Sequence, residues 1–147
     1  QTCALPILGN HTIFANSSQL AGHVHVDDWV ILGGFTVVHQ FCRLGAHSFT
    51  AMHSLLFADL PPFVMAQGQP AQARSMNFEG LRRRGFSAER IAAIKAMHKS
   101  LYRQQLTLAQ AQTDIQALTQ KYPEAQADVD LMLSFLQATS PERGIVR

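Results

Sequence analysis

The chain has 147 residues, a formal net charge of +2 and two cysteines. Two cysteines cannot make a disulfide framework, and no apolar run approaches the roughly 20 residues that span a bilayer. The net charge is small and aromatic residues do not alternate with the basic ones, which argues against nucleic-acid binding. We therefore expect a cytoplasmic protein that has no membrane span and binds neither nucleic acid nor a metal ion.

The two halves of the chain differ in charge and composition. Residues 1–70 carry one Arg against three Asp, a net charge of −2, whereas residues 71–147 carry eleven Lys or Arg against seven acids, a net charge of +4. Six of the seven histidines lie in the first half, and Gln, Ala, Lys and Arg dominate the second. This asymmetry predicts two architectures that meet near residue 70.

The first seven residues share no pattern with the sequence that follows them. The segment QTCALPI can be encoded by CAG ACG TGT GCT CTT CCG ATC, which reads like a sequencing-library adapter. We interpret residues 1–7 as a non-native segment and leave them out of the fold prediction. The alternative is a natural N-terminal tail. On our interpretation the native sequence enters the fold at about Leu8, and its upstream part is missing.

A six-residue repeat runs through the first half of the chain. Large apolar residues recur at every sixth position, and a small or β-branched residue follows each of them four places later. The large residues are Leu8, Phe14, Leu20, Val26, Leu32, Val38 and Leu44. Neither helical spacing nor strict alternation explains this interval, which is typical of a hexapeptide solenoid. We predict a three-sided parallel β-helix with its exit loop over residues 8–70. Each turn takes 18 residues, so residues 18 apart stack at roughly 4.8 Å.

The second half predicts a C-terminal α-helical domain over residues 71–147. The turn at residues 68–70 ends the solenoid pattern. We expect helices from Asn77 to Arg84, from about Ser87, from Thr107 to about residue 121, and from Pro123 to about residue 138. Their apolar stripes are typical of packing elements rather than of a second enzyme.

Four segments resemble one family of hexapeptide-repeat enzymes. They are NSSQLAGHV (16–24), GGFTVVHQFC (33–42), AQG (66–68) and NFEGLRRRGFS (77–87). These segments resemble the acyl-carrier-protein:UDP-N-acetylglucosamine O-acyltransferases of lipid A biosynthesis, over residues 8–147. Generic hexapeptide proteins share the repeat but not the GLRRRGFS segment. The resemblance implies a left-handed parallel β-helix that assembles as a homotrimer, with active sites in the clefts between subunits.

The resemblance also implies a reaction. A 3-hydroxyacyl group passes from the phosphopantetheine thioester of acyl carrier protein to the 3-hydroxyl of UDP-N-acetylglucosamine, without a cofactor. In the family a histidine is the general base, a role that suits an imidazole. The family's spacing puts that histidine at position 4, where this chain has Ala4. We therefore expect the isolated chain to have negligible activity.

The 18-residue turn places position 4, Gly22 and Gln40 in one column. The resemblance makes the backbone N–H of Gly22 the donor to the oxyanion of the attacked thioester. It places His23, His39 and Gln40 beside the sugar and acyl groups. For each histidine the alternative is a solvent-facing corner residue. We keep that interpretation for the other five histidines, which are His11, His25, His47, His53 and His98.

The resemblance assigns nucleotide contacts to Asn77, Glu79 and Arg84. Arg83 joins them as a candidate for phosphate or carrier-protein contact, because planar guanidinium groups suit phosphate oxygens. The alternative for residues 82–84 is a solvated basic run.

Met52 is predicted to set the length of the acyl chain. The family often has Gly at the matching position, at the end of the acyl groove. A Met side chain there displaces methylenes worth about 0.8 kcal/mol each, which predicts a shorter acyl group of about ten carbons. The alternative is that Met52 packs in the interior of the coil.

Two other functions fit parts of the sequence. One is a non-catalytic trimeric solenoid scaffold. The other is a β-helical zinc enzyme of the carbonic anhydrase type, with His23, His25 and His39 as possible ligands. The GLRRRGFS segment has no role in such a zinc enzyme.

Overall fold

The computed structural model describes residues 5–147 and divides the chain into two compact units. The first unit combines the residues up to Asn77 with the C-terminal segment Thr139–Arg147, and the second unit is Phe78–Ala138. The division lies at residue 77 rather than at the boundary near residue 70 that the composition suggests. The last residues of the chain also belong to the first unit rather than to the helical one.

The first unit is built on a β-solenoid whose strands are each two residues long. They are β1 (Ile7–Leu8), β2 (Ile13–Phe14), β3 (Gln19–Leu20), β4 (His25–Val26), β5 (Ile31–Leu32), β6 (Val37–Val38), β7 (Arg43–Leu44), β8 (Phe49–Thr50) and β9 (Leu55–Leu56). Every third strand pairs in parallel, so that β1-β4-β7, β2-β5-β8 and β3-β6-β9 form the three faces. The partners are 18 residues apart, as for Val26 with Leu44 and Val38 with Leu56. The predicted β-solenoid is confirmed.

The first strand of the solenoid includes the last residue of the segment that we interpreted as non-native. Ile7 lies in β1 and pairs with His25 of β4. The interpretation of residues 1–7 as a non-native segment stays a prediction, and the backbone of Ile7, the last residue of that segment, joins the parallel ladder. Residues 1–4, including Ala4 and Cys3, lie outside the described residues.

The inner ladder of the coil is formed by the second residue of each strand. From Val26 onward these side chains are fully buried, as are the small residues four places later such as Val30 and Cys42. At β8 the inward residue is Thr50, whose hydroxyl lies 2.9 Å from that of Thr36. This hydrogen bond satisfies two buried polar groups that would otherwise oppose folding. Burial also raises the pKa of the Cys42 thiol to about 11.

The turns of the coil stack at three corners: the first follows β1, β4 and β7, the second follows β2, β5 and β8, and the third follows β3, β6 and β9. Each turn between two successive strands from β1 to β9 contains one residue in the left-handed backbone region. These residues are His11, Ser17, His23, Trp29, Phe35, Phe41, His47 and His53, with φ between 55° and 65°. Aromatic residues rarely adopt this conformation, since Cβ crowds the carbonyl oxygen. Hydrogen bonds between successive turns hold the corners; Phe41 N–H, for example, donates to Gly22 O at 3.1 Å. The stacking of turns therefore stabilises a backbone conformation that is unfavourable for these residues in isolation.

A β-hairpin follows the solenoid, and it explains why the first unit extends to residue 77 rather than to the expected boundary near residue 70. β10 (Val64–Gly68) lies parallel to β8 and antiparallel to β11 (Ala71–Met76). The N–H of Ala73 in β11 donates to the carbonyl of Arg147 at 3.0 Å, which brings the C-terminus to this edge. β11 was not predicted, because its segment AQARSM contains no β-branched or aromatic residue and only one large apolar residue, Met76.

A buried carboxylate holds the C-terminal segment on the solenoid. Asp59 is fully buried, and its Oδ1 accepts hydrogen bonds from Arg43 N–H at 2.9 Å and Arg143 Nε at 2.8 Å. The backbone of Asp59 donates to Gly144 O at 3.1 Å and accepts from Val146 N–H at 2.8 Å. The tail is thus fixed by one ion pair and a short parallel bridge.

The second unit is helical, as predicted. It contains α1 (Phe78–Arg83), α2 (Ala88–Tyr102), α3 (Leu108–Lys121), a short 3-10 helix (Pro123–Ala125) and α4 (Gln126–Ala138). Ser87 and Thr107 cap α2 and α3 with their side-chain oxygens. Within the described residues, no helix combines the length and apolarity required to cross a bilayer.

A partly buried ion pair joins two helices of the second unit. Arg90 of α2 donates through Nε and Nη2 to the two oxygens of Asp128 of α4, each at 2.8 Å. The hydrogen bond to Asp128 raises the pKa of Arg90. Nearby, Ser87 Oγ donates to Glu124 at 2.6 Å. These bonds fix the start of α2 against the start of α4.

We expect Val38→Ala to destabilise the chain far more than Val37→Ala. Val38 is fully buried in the ladder, whereas its neighbour Val37 points outward and is 38% exposed. Loss of two buried methyl groups and the resulting cavity should cost about 2 kcal/mol, against less than about 1 kcal/mol at Val37. Urea unfolding followed by circular dichroism measures both. Equal losses would contradict the inward and outward assignment.

We expect Arg143→Met to lower the free energy of unfolding by about 3 kcal/mol, because it leaves the buried Asp59 carboxylate without its cation. Adding Asp59→Asn to this variant removes the unpaired charge and should restore part of the loss. The urea midpoints of the two variants and the unmodified chain measure the effect. A wild-type midpoint for Arg143→Met would show that the ion pair does not hold the tail.

Candidate functional site

The third corner of the solenoid brings four predicted site residues together. It consists of residues 21–24 between β3 and β4, residues 39–42 between β6 and β7, and residues 57–59 after β9. Gly22 and His23 lie in the first of these turns, and His39 and Gln40 in the second. Phe41 N–H donates to Gly22 O at 3.1 Å, so the two turns are in direct contact. Gly22 and Gln40 therefore share one corner, as the 18-residue interval predicts.

Two phenylalanines that the sequence analysis did not single out complete this corner. The ring of Phe41 stacks on that of His23, with centroids 4.7 Å apart and planes 4° apart. The ring of Phe57 lies 5.7 Å from that of His39, tilted by 47°. Both phenylalanines are about half exposed, at 48% and 52%. His23 and Phe41 are one turn apart, as are His39 and Phe57, so the 18-residue repeat could have predicted both ring contacts.

The corner presents groups suited to proton transfer and to binding an oxyanion. His23, His39 and Gln40 are exposed, and no hydrogen bond ties their side chains to any residue from 5 to 147. The N–H of Gly22 likewise makes no hydrogen bond within the described part of the chain. An imidazole accepts or donates a proton near neutral pH, and a backbone N–H without a side chain beside it admits a close oxygen.

Met52 lies at the second corner, between β8 and β9, and not beside Gly22. It is 64% exposed, so the interpretation of Met52 as an interior packing residue is wrong. Its neighbour His53 stacks on Phe35 with ring centroids 4.9 Å apart. Position 4, where the resemblance places the general base, is outside the described residues.

Asn77 lies at the end of the first unit. Its side-chain Nδ2 donates to His47 O at 3.0 Å, and its backbone N–H donates to Phe63 O at 2.7 Å. Asn77 is buried, and these bonds attach the end of β11 to the first corner. This structural role was not predicted from the sequence, since the bonds join residues far apart in the chain.

Glu79, Arg83 and Arg84 lie on or just after α1 in the second unit. Glu79 pairs with Arg83 at 3.0 Å and with Arg82 at 3.7 Å, all three side chains being exposed. Exposed pairs of this kind contribute little to stability, so these arginines stay available to a stronger anion. Arg84 is less exposed, and burial lowers the pKa of its guanidinium group.

The remaining histidines have structural neighbours. His11 stacks on Trp29 with centroids 4.0 Å apart, and His98 lies 5.1 Å from Tyr102. His25, a possible zinc ligand, lies on β4 with its Nε2 3.6 Å from Asp27, a carboxyl whose pKa burial raises. Among residues 5–147 no three His, Cys, Asp or Glu side chains are grouped to hold a metal ion.

Comparisons with known proteins agree with one another. The family described as UDP N-acetylglucosamine O-acyltransferase, domain 2, matches residues 59–146. The acyl-(acyl-carrier-protein) UDP-N-acetylglucosamine O-acyltransferase of Albidiferax ferrireducens is 70% identical over 141 residues, which are 96% of this chain and 53% of the relative. The protein of the same name from Pseudomonas savastanoi is 52% identical over 96% of this chain and 52% of its own length.

Solved structures give the same result. The UDP-N-acetylglucosamine O-acyltransferase of Moraxella catarrhalis matches with a TM-score of 0.87 and 34% identity, over 97% of this chain and 53% of that one. The corresponding acyltransferase of Bacteroides fragilis matches with a TM-score of 0.88 and 32% identity, over the same shares. The chain thus spans about half the length of the relatives it matches.

The family match covers more than half of the chain, and it includes the hairpin and the helices that follow the solenoid. The identity with the curated relatives extends through the solenoid as well. The chain belongs to the UDP-N-acetylglucosamine O-acyltransferase family.

Proposed function

We propose that this chain forms the C-terminal part of an enzyme that transfers a 3-hydroxyacyl group from acyl carrier protein to the 3-hydroxyl of UDP-N-acetylglucosamine. The relatives' names supply the two substrates. The reaction needs no cofactor, since the thioester on the carrier's phosphopantetheine arm is already activated. The enzyme acts in the cytoplasm, in lipid A biosynthesis.

The third corner carries this proposal. Acyl transfer from a thioester needs a base for the attacking hydroxyl and a donor for the oxyanion that forms. Gly22 offers a backbone N–H without a hydrogen-bond partner in residues 5–147, at the same corner as His23, His39 and Gln40. In the proposed mechanism that N–H donates to the oxyanion, and the three side chains bind the sugar and the acyl group.

The general base belongs at position 4 in this proposal, one turn before Gly22. A histidine there would take the proton of the 3-hydroxyl as the oxygen attacks the thioester carbon. This chain has Ala4 instead, so we propose that it is inactive by itself. The sulfur of the phosphopantetheine arm leaves as the thiol, with the proton returned to it by the same base.

The basic residues of the second unit are assigned to the nucleotide and the carrier. We propose that Arg84 and Asn77 contact the nucleotide together with Glu79, and that Arg83 binds phosphate oxygens. Glu79 and Arg83 are exposed and paired at 3.0 Å, a pair that a diphosphate or an acidic carrier surface can open at small cost.

Two outer faces of the solenoid, apolar except at Gln19, support the proposal of a homotrimer. Residues that point outward from β2, β5, β8 and β10 form one aligned column, and those from β3, β6 and β9 form another. The first column is Ile13, Ile31, Phe49 and Met65, and the second is Gln19, Val37 and Leu55. The third face instead aligns Ile7 with the polar residues His25 and Arg43. We propose that apolar faces of neighbouring subunits meet, with the acyl groove between them.

We expect activity when residues 8–147 are joined to the upstream half of the Albidiferax ferrireducens relative. This chimera replaces residues 1–7 and restores the turns that carry the base. Transfer of a 3-hydroxydecanoyl group to UDP-N-acetylglucosamine is followed by product mass. The matched control is the same chimera with Ala at position 4, which should be slower by roughly 10²–10⁴-fold. An inactive chimera that folds and assembles would contradict the proposed function, and sedimentation gives its subunit number.

We expect Met52→Gly in the chimera to shift donor preference from ten towards fourteen carbons. Removing the exposed side chain frees room for methylenes worth about 0.8 kcal/mol each, so kcat/KM for the longer donor should rise roughly tenfold or more. Met52→Leu, which keeps the volume, serves as the control. If the unmodified chimera uses both donors equally well, Met52 does not limit chain length.

A further inference from the structure

We propose that Phe57 is a positioning residue that holds the imidazole of His39 in the orientation required for acyl transfer, with Phe41 doing the same for His23. This inference rests on the proposed function. Neither phenylalanine carries a group that takes part in the reaction, so each acts through the histidine that its ring contacts.

The position of Phe57 in the turn is the first observation. The residue that directly follows each strand from β1 to β9 is Gly or Ala in six of the nine cases. These residues are Gly9, Ala15, Ala21, Asp27, Gly33, His39, Gly45, Ala51 and Phe57. At Gly33 and Gly45 an added Cβ would lie within 2.4–2.7 Å of neighbouring backbone atoms. Only at the third corner do two large ring side chains, those of His39 and Phe57, occupy this position in successive turns.

The third corner therefore has two ring columns within the described residues. The column of left-handed residues, which each corner possesses, contributes His23 and Phe41 here. The column at the strand ends, which the other corners lack, contributes His39 and Phe57. Both histidines assigned to the site thus have a phenylalanine ring one turn further along the coil.

The phenylalanine rings matter because the imidazoles of His23 and His39 lack hydrogen-bond restraints within residues 5–147. The side chains of His23 and His39 form no hydrogen bond with residues 5–147, and both are exposed. An exposed imidazole without a fixed partner samples several rotamers. Aromatic pairs with centroids 4.5–7 Å apart attract each other, so a ring at 5.7 Å narrows the orientations of His39. The backbone of His39 is already fixed, because its N–H donates to Leu56 O at 2.9 Å.

Burial does not explain Phe57. Its side chain is 52% exposed, while Leu56 beside it is fully buried in the ladder. Replacing Phe57 should therefore leave the free energy of unfolding nearly unchanged and affect only the orientation of His39, which its ring contacts. This separates a positioning role from a structural one.

The test compares Phe57→Leu with Phe57→Tyr in the active chimera, with saturating 3-hydroxydecanoyl donor. Leu removes the ring and should lower kcat roughly tenfold, since His39 is assigned to substrate binding and a small misplacement of the bound substrate is costly. Tyr keeps the ring and should retain near-wild-type kcat. Phe35→Leu is the matched control, because Phe35 is 53% exposed and stacks on His53 at the second corner. It should leave kcat and the KM for UDP-N-acetylglucosamine unchanged.

A second measurement does not depend on activity. In the 147-residue chain labelled with ¹³C-histidine, Phe57→Leu should shift the ring resonances of His39 by removing the ring current, and Phe35→Leu should shift those of His53 instead. A moved His39 resonance in an inactive chimera would support the contact and sink only the proposed function. Wild-type kcat in Phe57→Leu, or an unmoved His39 resonance, would overturn the positioning role.

Discussion

The register of the parallel ladder is the constraint on which the rest of the first unit depends. Each turn uses 18 residues, and the two-residue strands pair with the strands one turn away. A two-residue strand has no stability by itself, so hydrogen bonds to adjacent turns and the buried aliphatic ladder must hold it. A shift of the six-residue repeat by one residue would turn Val38 outward and Val37 inward. The ladder therefore fixes which residues lie at each corner of the coil.

The candidate site follows from that register. Gly22 and Gln40 meet because they are one turn apart, and His23 meets Phe41 for the same reason. The site requires no special loop. It consists of ordinary corner positions that the coil repeats, filled at the third corner with side chains that carry chemistry. The left-handed backbone at His23 and Phe41, which costs free energy in isolation, is maintained by the stack of turns.

Two buried carboxylates secure the parts of the chain that the ladder does not reach. Asp59 joins the solenoid to the C-terminal segment through Arg143, and Asp128 joins α4 to α2 through Arg90. Each pair lies inside one compact unit. Burying a carboxylate without a cation is costly, so these contacts specify where the tail and the helices pack.

The sequence by itself determined the features that depend on local pattern. The six-residue interval predicted the solenoid and its 18-residue turn, and Ser87 and Thr107 marked the expected starts of two helices. The column of Gly22 and Gln40 also followed from arithmetic alone. These predictions succeed because the periodicity of inward residues and the chemistry of a cap are fixed over a few residues.

Only the tertiary structure decided the features that depend on contacts with residues distant in the sequence. It placed β11 beside β10, brought Arg143 to Asp59 across 84 residues, and showed Met52 exposed rather than packed inside. It also revealed Phe57 against His39. None of these has a local pattern, because burial, ion pairing and ring contact are properties of the neighbours that folding supplies.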